Sequence, residues 1–329
     1  MKRNYYLFSG GRLSRKDFSL MFENEKERKY IPIEDVEAIY AFAELDLNTK
    51  FLNFLSEKNI IIHFFNYYGF YTGSFYPREY LNSGKLIIKQ VEHYKFRKKR
   101  LFIAKEIINS SVHNILKNLS YYDNRGKDLI DIIEKIKEFK MKIKDCKIIS
   151  ELMGIEGNIR EIYYKSFEII LKQDIEFEQR TKQPPKNILN ALISFGNSLC
   201  YTTVLGEIYR TQLNPLISYL HEPGERRFSL SLDIAEIFKP LLVDRIIFKL
   251  INNRMLSEND FDINLNYCYM TEKARKIFCR EYDEKLNTII YHRKLDKNVS
   301  YRRLIRLECY KLIKHLIGEV VYDGFKIWW

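Results

Sequence analysis

The hydrophobic residues of the chain follow two different patterns along its length. Up to residue 84 they occur in short runs rich in Tyr, Phe and Ile, bounded by Gly, Pro and Asn, which is typical of β-strands. These runs predict strands at residues 5–8, 19–22, 29–33, 36–42, 60–65 and 70–76. Between them, residues 45–59 place Leu and Phe at helical spacing. This part of the chain is therefore expected to be a β-rich domain with one helix.

After residue 84 the pattern becomes that of long helices. Apolar residues at 148, 152, 155, 159 and 162 are three or four positions apart, so they line one helical face. Similar patterns predict helices at 85–119, 129–139, 187–211, 233–252, 271–291 and 300–318, and Asn214-Pro215 has the form of a helix start. We therefore expect an α+β protein with a β-rich domain at 1–84 and an all-α domain at 85–329.

Charge is distributed unevenly between these two parts. The chain of 329 residues has a net charge of +12, and residues 86–329 hold 43 basic and 32 acidic side chains. Two stretches, 95–105 and 293–314, concentrate basic residues with aromatic residues between them. They are either solvated helix faces, paired in part with the acidic helix 128–140, or a track for nucleic-acid phosphates. The candidate phosphate contacts here are Arg97, Lys98, Lys99, Arg302 and Arg303.

Several classes of protein do not fit the sequence. The five cysteines form no C-x-x-C pair, and the chain has no dinucleotide-binding, P-loop, His-Glu-x-x-His or Gly-x-Ser-x-Gly motif. No apolar run approaches the roughly 20 residues of a membrane span, and the first residues do not have the pattern of a signal peptide. We expect a cytoplasmic protein that binds no membrane.

The candidate chemistry lies in carboxylates and one histidine of the helical part. Glu156 borders the apolar stripe of its helix, where it is either an ion-pair partner of Arg160 at i+4 or a metal ligand or general base. His221 directly precedes the turn residues Pro223-Gly224, so it is either a helix C-terminal histidine or an imidazole offered to a metal.

Asp233 and Glu236 lie three residues apart and would share a helix face. They resemble a capping box before an apolar run, or they supply oxygen ligands beside the histidine. Arg226 and Arg227, just before them, could grip a phosphate on either side of a cleaved bond. Oxygen ligands with one imidazole suit Mg²⁺ or Mn²⁺ better than zinc, and such a metal in a basic domain suggests phosphodiester chemistry.

Three blocks in this order, LMGIEGNIREIYY, RTKQPPKNILNALISFGNSLCY and LNPLISYLHEPGERRFSLSLDIAEIFKP, are similar to the catalytic blocks of the CRISPR-associated endonuclease and integrase family of spacer acquisition, Cas1. The segment IPIEDVEAIYAFAELDLNTKFLNFLSEKNIIIHFFNYYGFYTGSFYPRE resembles the β-domain of that family. The resemblance covers the whole chain.

The resemblance implies an N-terminal β-sandwich, a C-terminal helical domain and a homodimer. It also implies a divalent metal, Mg²⁺ or Mn²⁺, held by Glu156, His221 and Glu236, with Asp233 as a supporting acid. The implied reactions are cleavage of DNA and attack of a free DNA 3′-hydroxyl on a CRISPR repeat, on double-stranded or branched substrates. A small ferredoxin-like partner, Cas2, is implied as well.

Two alternatives stay open from the sequence. One is a non-catalytic, DNA-binding assembly subunit with the same fold and a metal site that does not work. The other is a metallohydrolase of small phosphates, for which the net charge of +11 on residues 86–329 is less natural, because a small substrate needs no extended basic track.

Overall fold

The computed structural model describes residues 2–77, 81–172, 177, 179–182, 184–224, 228–293 and 295–328. The chain divides into two compact units, Met1–Tyr80 with Met270–Asp283, and Leu81–Tyr269 with Glu284–Trp329. The first unit thus takes in a distant segment that a linear division at 84/85 does not contain.

The described residues of the first unit begin with β1 (Arg3–Leu7), β2 (Gly11–Lys16), β3 (Ser19–Glu23), β4 (Arg28–Pro32), β5 (Val36–Ala41), β6 (Leu45–Leu47), α1 (Thr49–Glu57), β7 (Ile61–Phe65) and β8 (Tyr71–Phe75). The strands form two four-stranded sheets, of order β1-β5-β7-β8 and β4-β3-β2-β6. In the first sheet β1, β5 and β7 are parallel and β8 is antiparallel to β7. In the second, β3 is antiparallel to both β2 and β4, and β6 is parallel to β2.

Residues from both sheets and from α1 share one apolar core, which confirms the expected sandwich-like domain with one helix. Its members include Leu13, Phe22, Ile39, Phe51 and Ile62. The helix begins later than the pattern predicted, because Asn48 caps it by accepting a hydrogen bond from the Phe51 N–H at 2.9 Å. Residues 45–47 of the predicted helix instead pair with β2.

The second unit is mainly helical, as predicted. Its helices are α2 (Gly84–Lys95), α3 (Arg97–Asp123), α4 (Ile130–Lys142), α5 (Ile149–Ile170), α6 (Ile188–Tyr209), α7 (Ser229–Lys239), α8 (Arg245–Asn252) and α10 (Tyr301–Leu316), while α9 (Glu272–Asn287) is divided between the units. Two hairpins that the pattern did not predict follow α8 and α9: β9 (Phe261–Asn264) with β10 (Tyr267–Met270), and β11 (Ile289–His292) with β12 (Lys297–Ser300).

Two helix predictions were wrong in detail. The long helix expected at 85–119 is interrupted at Phe96, whose φ and ψ of −80° and 100° are not helical. No helix follows Asn214 within residues 212–224, because its side chain closes a turn by accepting from the Leu216 N–H at 2.9 Å. The segment that carries His221 is therefore an irregular loop, and His221 does not end a helix.

Helix α7 lies at the centre of the helical unit. It packs against α3 and α6, and every residue of α7 except Leu232 is buried. A short π-helical segment, Pro240–Asp244, continues α7 into α8. Helix α6 is long and apolar enough to cross a membrane by length and composition, but its apolar window is 78% buried inside the protein, as in a core helix.

The C-terminal segment packs against the same helices. Ile327 is fully buried, and its N–H donates to Asn114 Oδ1 of α3 at 2.9 Å. Asn114 Nδ2 in turn donates to the Ile237 carbonyl of α7, and the ring of Phe325 stacks on that of Phe238 at 5.7 Å. The tail up to Trp328 thus completes the core around α7, whereas Trp329 lies outside the described residues.

Candidate active site

Three charged residues, Asp233, Glu236 and Lys239, occupy α7, a helix that is buried on nearly all sides. A buried charge is costly unless it is paired and hydrogen-bonded, so the partners of these residues define the site. All three have partners, and those partners bring together the residues that the sequence singled out.

Asp233 fixes the loop that carries His221. Its carboxylate accepts from the N–H groups of Tyr219 at 2.6 Å, Leu220 at 2.9 Å and His221 at 3.0 Å, and from Nδ1 of His221 at 2.8 Å. Asp233 lies inside α7, which begins at Ser229, so the capping-box interpretation was wrong. Because Nδ1 is engaged by a carboxylate, the neutral ring offers its unprotonated Nε2 to the site.

The opposite side of this loop is held by Arg100, near the start of α3. Its Nε donates to the Tyr219 carbonyl at 2.9 Å, and its Nη2 donates to Glu222 Oε1 at 2.7 Å. Tyr94 on α2 donates to the other oxygen of Glu222 at 3.0 Å. The His221 loop is therefore clamped between α7 and the junction of α2 and α3. No local sequence pattern marks Arg100, because its partners lie more than a hundred residues away.

Arg160 joins the two predicted glutamates. Its Nε donates to Glu156 Oε1 at 3.1 Å, the i+4 pair that the sequence offered as one alternative. Its Nη2 donates to Oε2 of Glu236 on α7. The other oxygen of Glu236 accepts from Lys239 Nζ. One guanidinium thus holds a carboxylate of α5 and a carboxylate of α7 together.

The electrostatics of Glu236 follow from this pairing. Burial by itself would raise its pKa, but Lys239, Arg160 and His221 outweigh burial and hold the pKa at about 2. Burial likewise would lower the pKa of His221, but its hydrogen bond to Asp233 and the charges of Asp233 and Glu236 raise it. Glu236 is therefore ionised at any physiological pH, and the charge of His221 is coupled to it.

The exposed fractions of the side chains indicate from which side a substrate reaches the site. Glu236 and Asp233 are buried, whereas the side chains of Glu156 and His221 remain 23% and 27% exposed. A substrate would therefore approach on the side of Glu156 and His221.

The donor types fit a hard divalent cation, and their carboxylate oxygens are engaged by basic side chains of the protein. Within the described residues, no group of three or more His, Cys, Asp or Glu is already arranged to hold a metal ion. The oxygens of Glu156 and Glu236 contact Arg160 and Lys239 instead. The candidate ligands are the carboxylates of Glu156 and Glu236 and the imidazole of His221, which the carboxylate of Asp233 orients. These are ligand types that Mg²⁺ and Mn²⁺ take.

The predicted phosphate contacts lie in two separate places. Arg97, Lys98 and Lys99 are exposed in the first turn of α3, and Arg303 is exposed in the first turn of α10 beside the half-buried Arg302. His93, just before the first group, contacts His315 near the far end of α10. At 1.5 Å per helical residue the two groups are thus roughly 20 Å apart. Arg226 and Arg227 lie outside the described residues.

Comparison with known proteins identifies the family. A family model described as "CRISPR associated protein Cas1" matches residues 5–284. The chain belongs to the Cas1 family. A relative from Thermodesulfovibrio yellowstonii named "CRISPR-associated endonuclease Cas1 3" is 55% identical over 328 residues, with 99% of this chain and 100% of the relative covered.

Solved structures agree with this membership. A CAS1 protein from Thermotoga maritima matches with a TM-score of 0.89 and 47% identity, covering 98% of this Cas1-family chain and 100% of the other. A casposase bound to integration product matches at 0.87 with 20% identity, covering 98% and 92%. A Cas6-RT-Cas1–Cas2 complex matches at 0.84 with 18% identity, covering 100% and 36%. At such low identity the last two matches show a shared fold only.

Proposed function

We propose that this chain is a metal-dependent DNA endonuclease and integrase that inserts captured DNA into a CRISPR array. The observation that carries the proposal is the convergence of Glu156 and Glu236 on one guanidinium beside an imidazole that Asp233 orients. The relatives named as Cas1 endonucleases and the fold shared with a casposase support the same activity.

Glu156, Glu236 and Nε2 of His221 would hold the cation, Mg²⁺ or Mn²⁺. When bound, the cation would polarise a phosphoryl oxygen and lower the pKa of an attacking hydroxyl. Asp233 keeps the imidazole in the tautomer that presents Nε2. The hydrogen bonds that it accepts from three backbone N–H groups fix the conformation of the loop. Lys239 keeps Glu236 ionised despite its burial.

In the integration reaction, the 3′-hydroxyl of the incoming DNA attacks a phosphorus atom of the CRISPR repeat. A new phosphodiester forms, the 3′-oxygen of the cleaved repeat strand departs, and the proton of the attacking hydroxyl passes to solvent. With water as the nucleophile, the same site gives endonuclease products. Either reaction proceeds by direct attack and needs no covalent intermediate with the protein.

DNA would lie along the start of α3. Positive charges in the first turn of a helix interact unfavourably with the helix dipole. A phosphate bound to Arg97, Lys98 and Lys99, at the start of α3, would offset this repulsion. Arg100, the next residue, clamps the His221 loop, so this basic turn adjoins the candidate active site. Arg302 and Arg303 would contact a more distant part of a long duplex.

A homodimer and the small Cas2 protein complete the proposal as partners, in a cytoplasmic complex. The fold shared with the Cas1 part of a Cas6-RT-Cas1–Cas2 complex supports the Cas2 assignment.

The test compares wild-type protein with Glu156→Gln, His221→Ala and Glu236→Gln. The substrates are a plasmid carrying a CRISPR repeat and a short duplex with free 3′-hydroxyls, with Cas2, in Mn²⁺, Mg²⁺ or EDTA. We expect cleavage and joining only with metal and only in the wild type, while DNA binding persists in the variants. Glu207→Gln is the matched control, because Glu207 is also fully buried and paired with arginines but lies on α6. Binding without any metal-dependent product in the wild type would favour a non-catalytic assembly subunit.

A further inference from the structure

Two buried polar atoms of opposite charge near the candidate active site have no hydrogen-bond partner among the described residues. They are Nη1 of Arg160 and Oδ2 of Asp244, each with less than 1 Å² of exposed surface. Buried polar atoms nearly always have a hydrogen-bond partner. Two such atoms without one, on side chains of opposite charge in the same region, therefore require an explanation.

The structure places Asp244 close to Arg160. Asp244 ends the π-helical segment that follows α7, and it is 2% exposed. Burial raises the pKa of Asp244, whereas the charge of Arg160 and the side chain of Tyr163 lower it, so both groups lie near its carboxylate. Tyr163 lies three residues after Arg160 on α5 and so shares its helical face. Asn118 fixes this corner by donating to Tyr163 at 3.2 Å and to the Pro240 carbonyl at 2.6 Å. Single π-helical turns in longer helices often occur at functional sites.

We propose that Asp244 is a positioning residue that receives the guanidinium of Arg160 when Glu156 and Glu236 bind a divalent cation. Arg160 then has two positions, one on the glutamate pair and one on Asp244. The proposal rests on the metal-dependent function proposed above.

Arg160 would need a second position because its guanidinium is charged and buried away from solvent. A cation on Glu156 and Glu236 would meet the guanidinium that now occupies both carboxylates. Arg160 is buried, and a buried guanidinium without a carboxylate partner is strongly destabilising. Lys239 can stay in place, because it contacts the second oxygen of Glu236 and the ring of Tyr201 at 4.8 Å. Asp244 supplies the free carboxylate oxygen that Arg160 would need.

A double-mutant cycle on metal affinity tests this role. Mn²⁺ binding to the full-length, DNA-free protein is titrated at pH 7.5 by calorimetry for the wild type, Asp244→Asn, Arg160→Gln and the double variant. We expect Asp244→Asn to weaken Mn²⁺ binding about tenfold or more in the wild-type background, and less than about twofold once Arg160 is absent. Glu207→Gln, at a buried carboxylate of α6, should leave the affinity unchanged.

The outcomes separate this inference from the proposed function. If the wild type binds Mn²⁺ and cleaves DNA but Asp244→Asn binds equally well, only the role of Asp244 is overturned. Equal weakening in both backgrounds also overturns it, since Asp244 would then act without Arg160. A wild type that neither binds Mn²⁺ nor cleaves DNA overturns both proposals.

Circular dichroism checks that each variant is folded. If Asp244→Asn does not fold, a crystal structure of the wild type soaked in Mn²⁺ decides the question. Arg160 hydrogen-bonded to Asp244 supports the proposal, and Arg160 still paired with Glu236 contradicts it.

Discussion

Replacement of Gly324 by alanine tests whether the C-terminal segment is tightly seated on α3. A Cβ added at Gly324 would overlap Oγ of Ser110, and it would lie 3.0 Å from Cβ of Ser110 and 3.1 Å from the Glu106 carbonyl oxygen. Ser110 is fully buried, so its side chain cannot turn away into solvent. Overpacking of a well-packed site costs about 1–3 kcal/mol, and a contact with a backbone carbonyl places Gly324→Ala toward the upper end, at about 2–3 kcal/mol.

The same geometry predicts a partial rescue. Ser110 Oγ has no hydrogen-bond partner among the described residues, so Ser110→Ala alone should change the free energy of unfolding by less than about 0.5 kcal/mol. In the double variant the overlap with Ser110 Oγ is gone, but the contacts at 3.0 and 3.1 Å remain. We therefore expect the double variant to recover about half of the stability that Gly324→Ala removes.

Urea unfolding followed by circular dichroism measures these free energies. Gly84→Ala is the matched control, because a Cβ at Gly84 meets nothing within 4 Å. The packing argument is refuted if Gly324→Ala is as stable as the wild type. It is also refuted if the double variant is no more stable than Gly324→Ala. Because Phe325 stacks on Phe238 of α7, Gly324→Ala should also reduce DNA cleavage by the folded protein.

Three further predictions concern the charged groups. Asp233→Asn should lower both the pKa of His221, measured by NMR, and the stability, by about 1.5–3 kcal/mol for each charged hydrogen bond removed; an unchanged pKa would contradict the assigned contact. The pKa of Glu236 is depressed to about 2, so its ion pairs should stabilise the fold above its ordinary pKa of 4.5 and lose that contribution as pH falls from 4.5 to 2, by about 3 kcal/mol in all. Acid unfolding as steep in Glu236→Gln as in the wild type would exclude this. Replacing Arg97, Lys98 and Lys99 by Ser should reduce the slope of log affinity for DNA against log salt by about 0.9 for each phosphate that is no longer neutralised, whereas Lys135→Ser, on the exposed face of α4, should not.

The sequence predicted those parts of the structure that depend on local pattern. Alternating and continuous apolar runs located most strands of the sandwich, and the 148–162 stripe located α5. It missed β2, Gly11–Lys16, because that strand is mostly polar and intermediate or exposed at all but one position. It also missed the break at Phe96, which no Pro or Gly marks.

The sequence could single out individual candidate residues, but it could not predict the contacts between them. Glu156, His221, Asp233 and Glu236 stood out by residue type and by the turn or stripe beside each. Arg160 appeared only as the i+4 partner of Glu156, because its bond to Glu236 spans 76 positions of sequence. Such a contact depends on how α5 packs near α7, and no local pattern encodes that packing.

A last set of variants tests whether the buried charges of this site contribute to stability or to catalysis. Glu236→Gln leaves Arg160 and Lys239 buried without their shared carboxylate, so it should lower the free energy of unfolding by about 3–5 kcal/mol. Replacing Arg160, Glu236 and Lys239 together by Met removes all three charges and keeps most of the volume. Buried ion networks replaced in this way are often as stable as the original or more so.

We therefore expect the triple Met variant to unfold in urea at or above the wild-type midpoint while losing all metal-dependent DNA cleavage. If it were less stable than Glu236→Gln, the charge network would be a stabilising part of the core, and its presence would say nothing about catalysis. If it is stable and inactive, stability cannot explain why Glu236 and Lys239 of α7 and Arg160 of α5 are charged although they are buried. That result would support the proposed role of these charges in binding a divalent cation and a DNA phosphate.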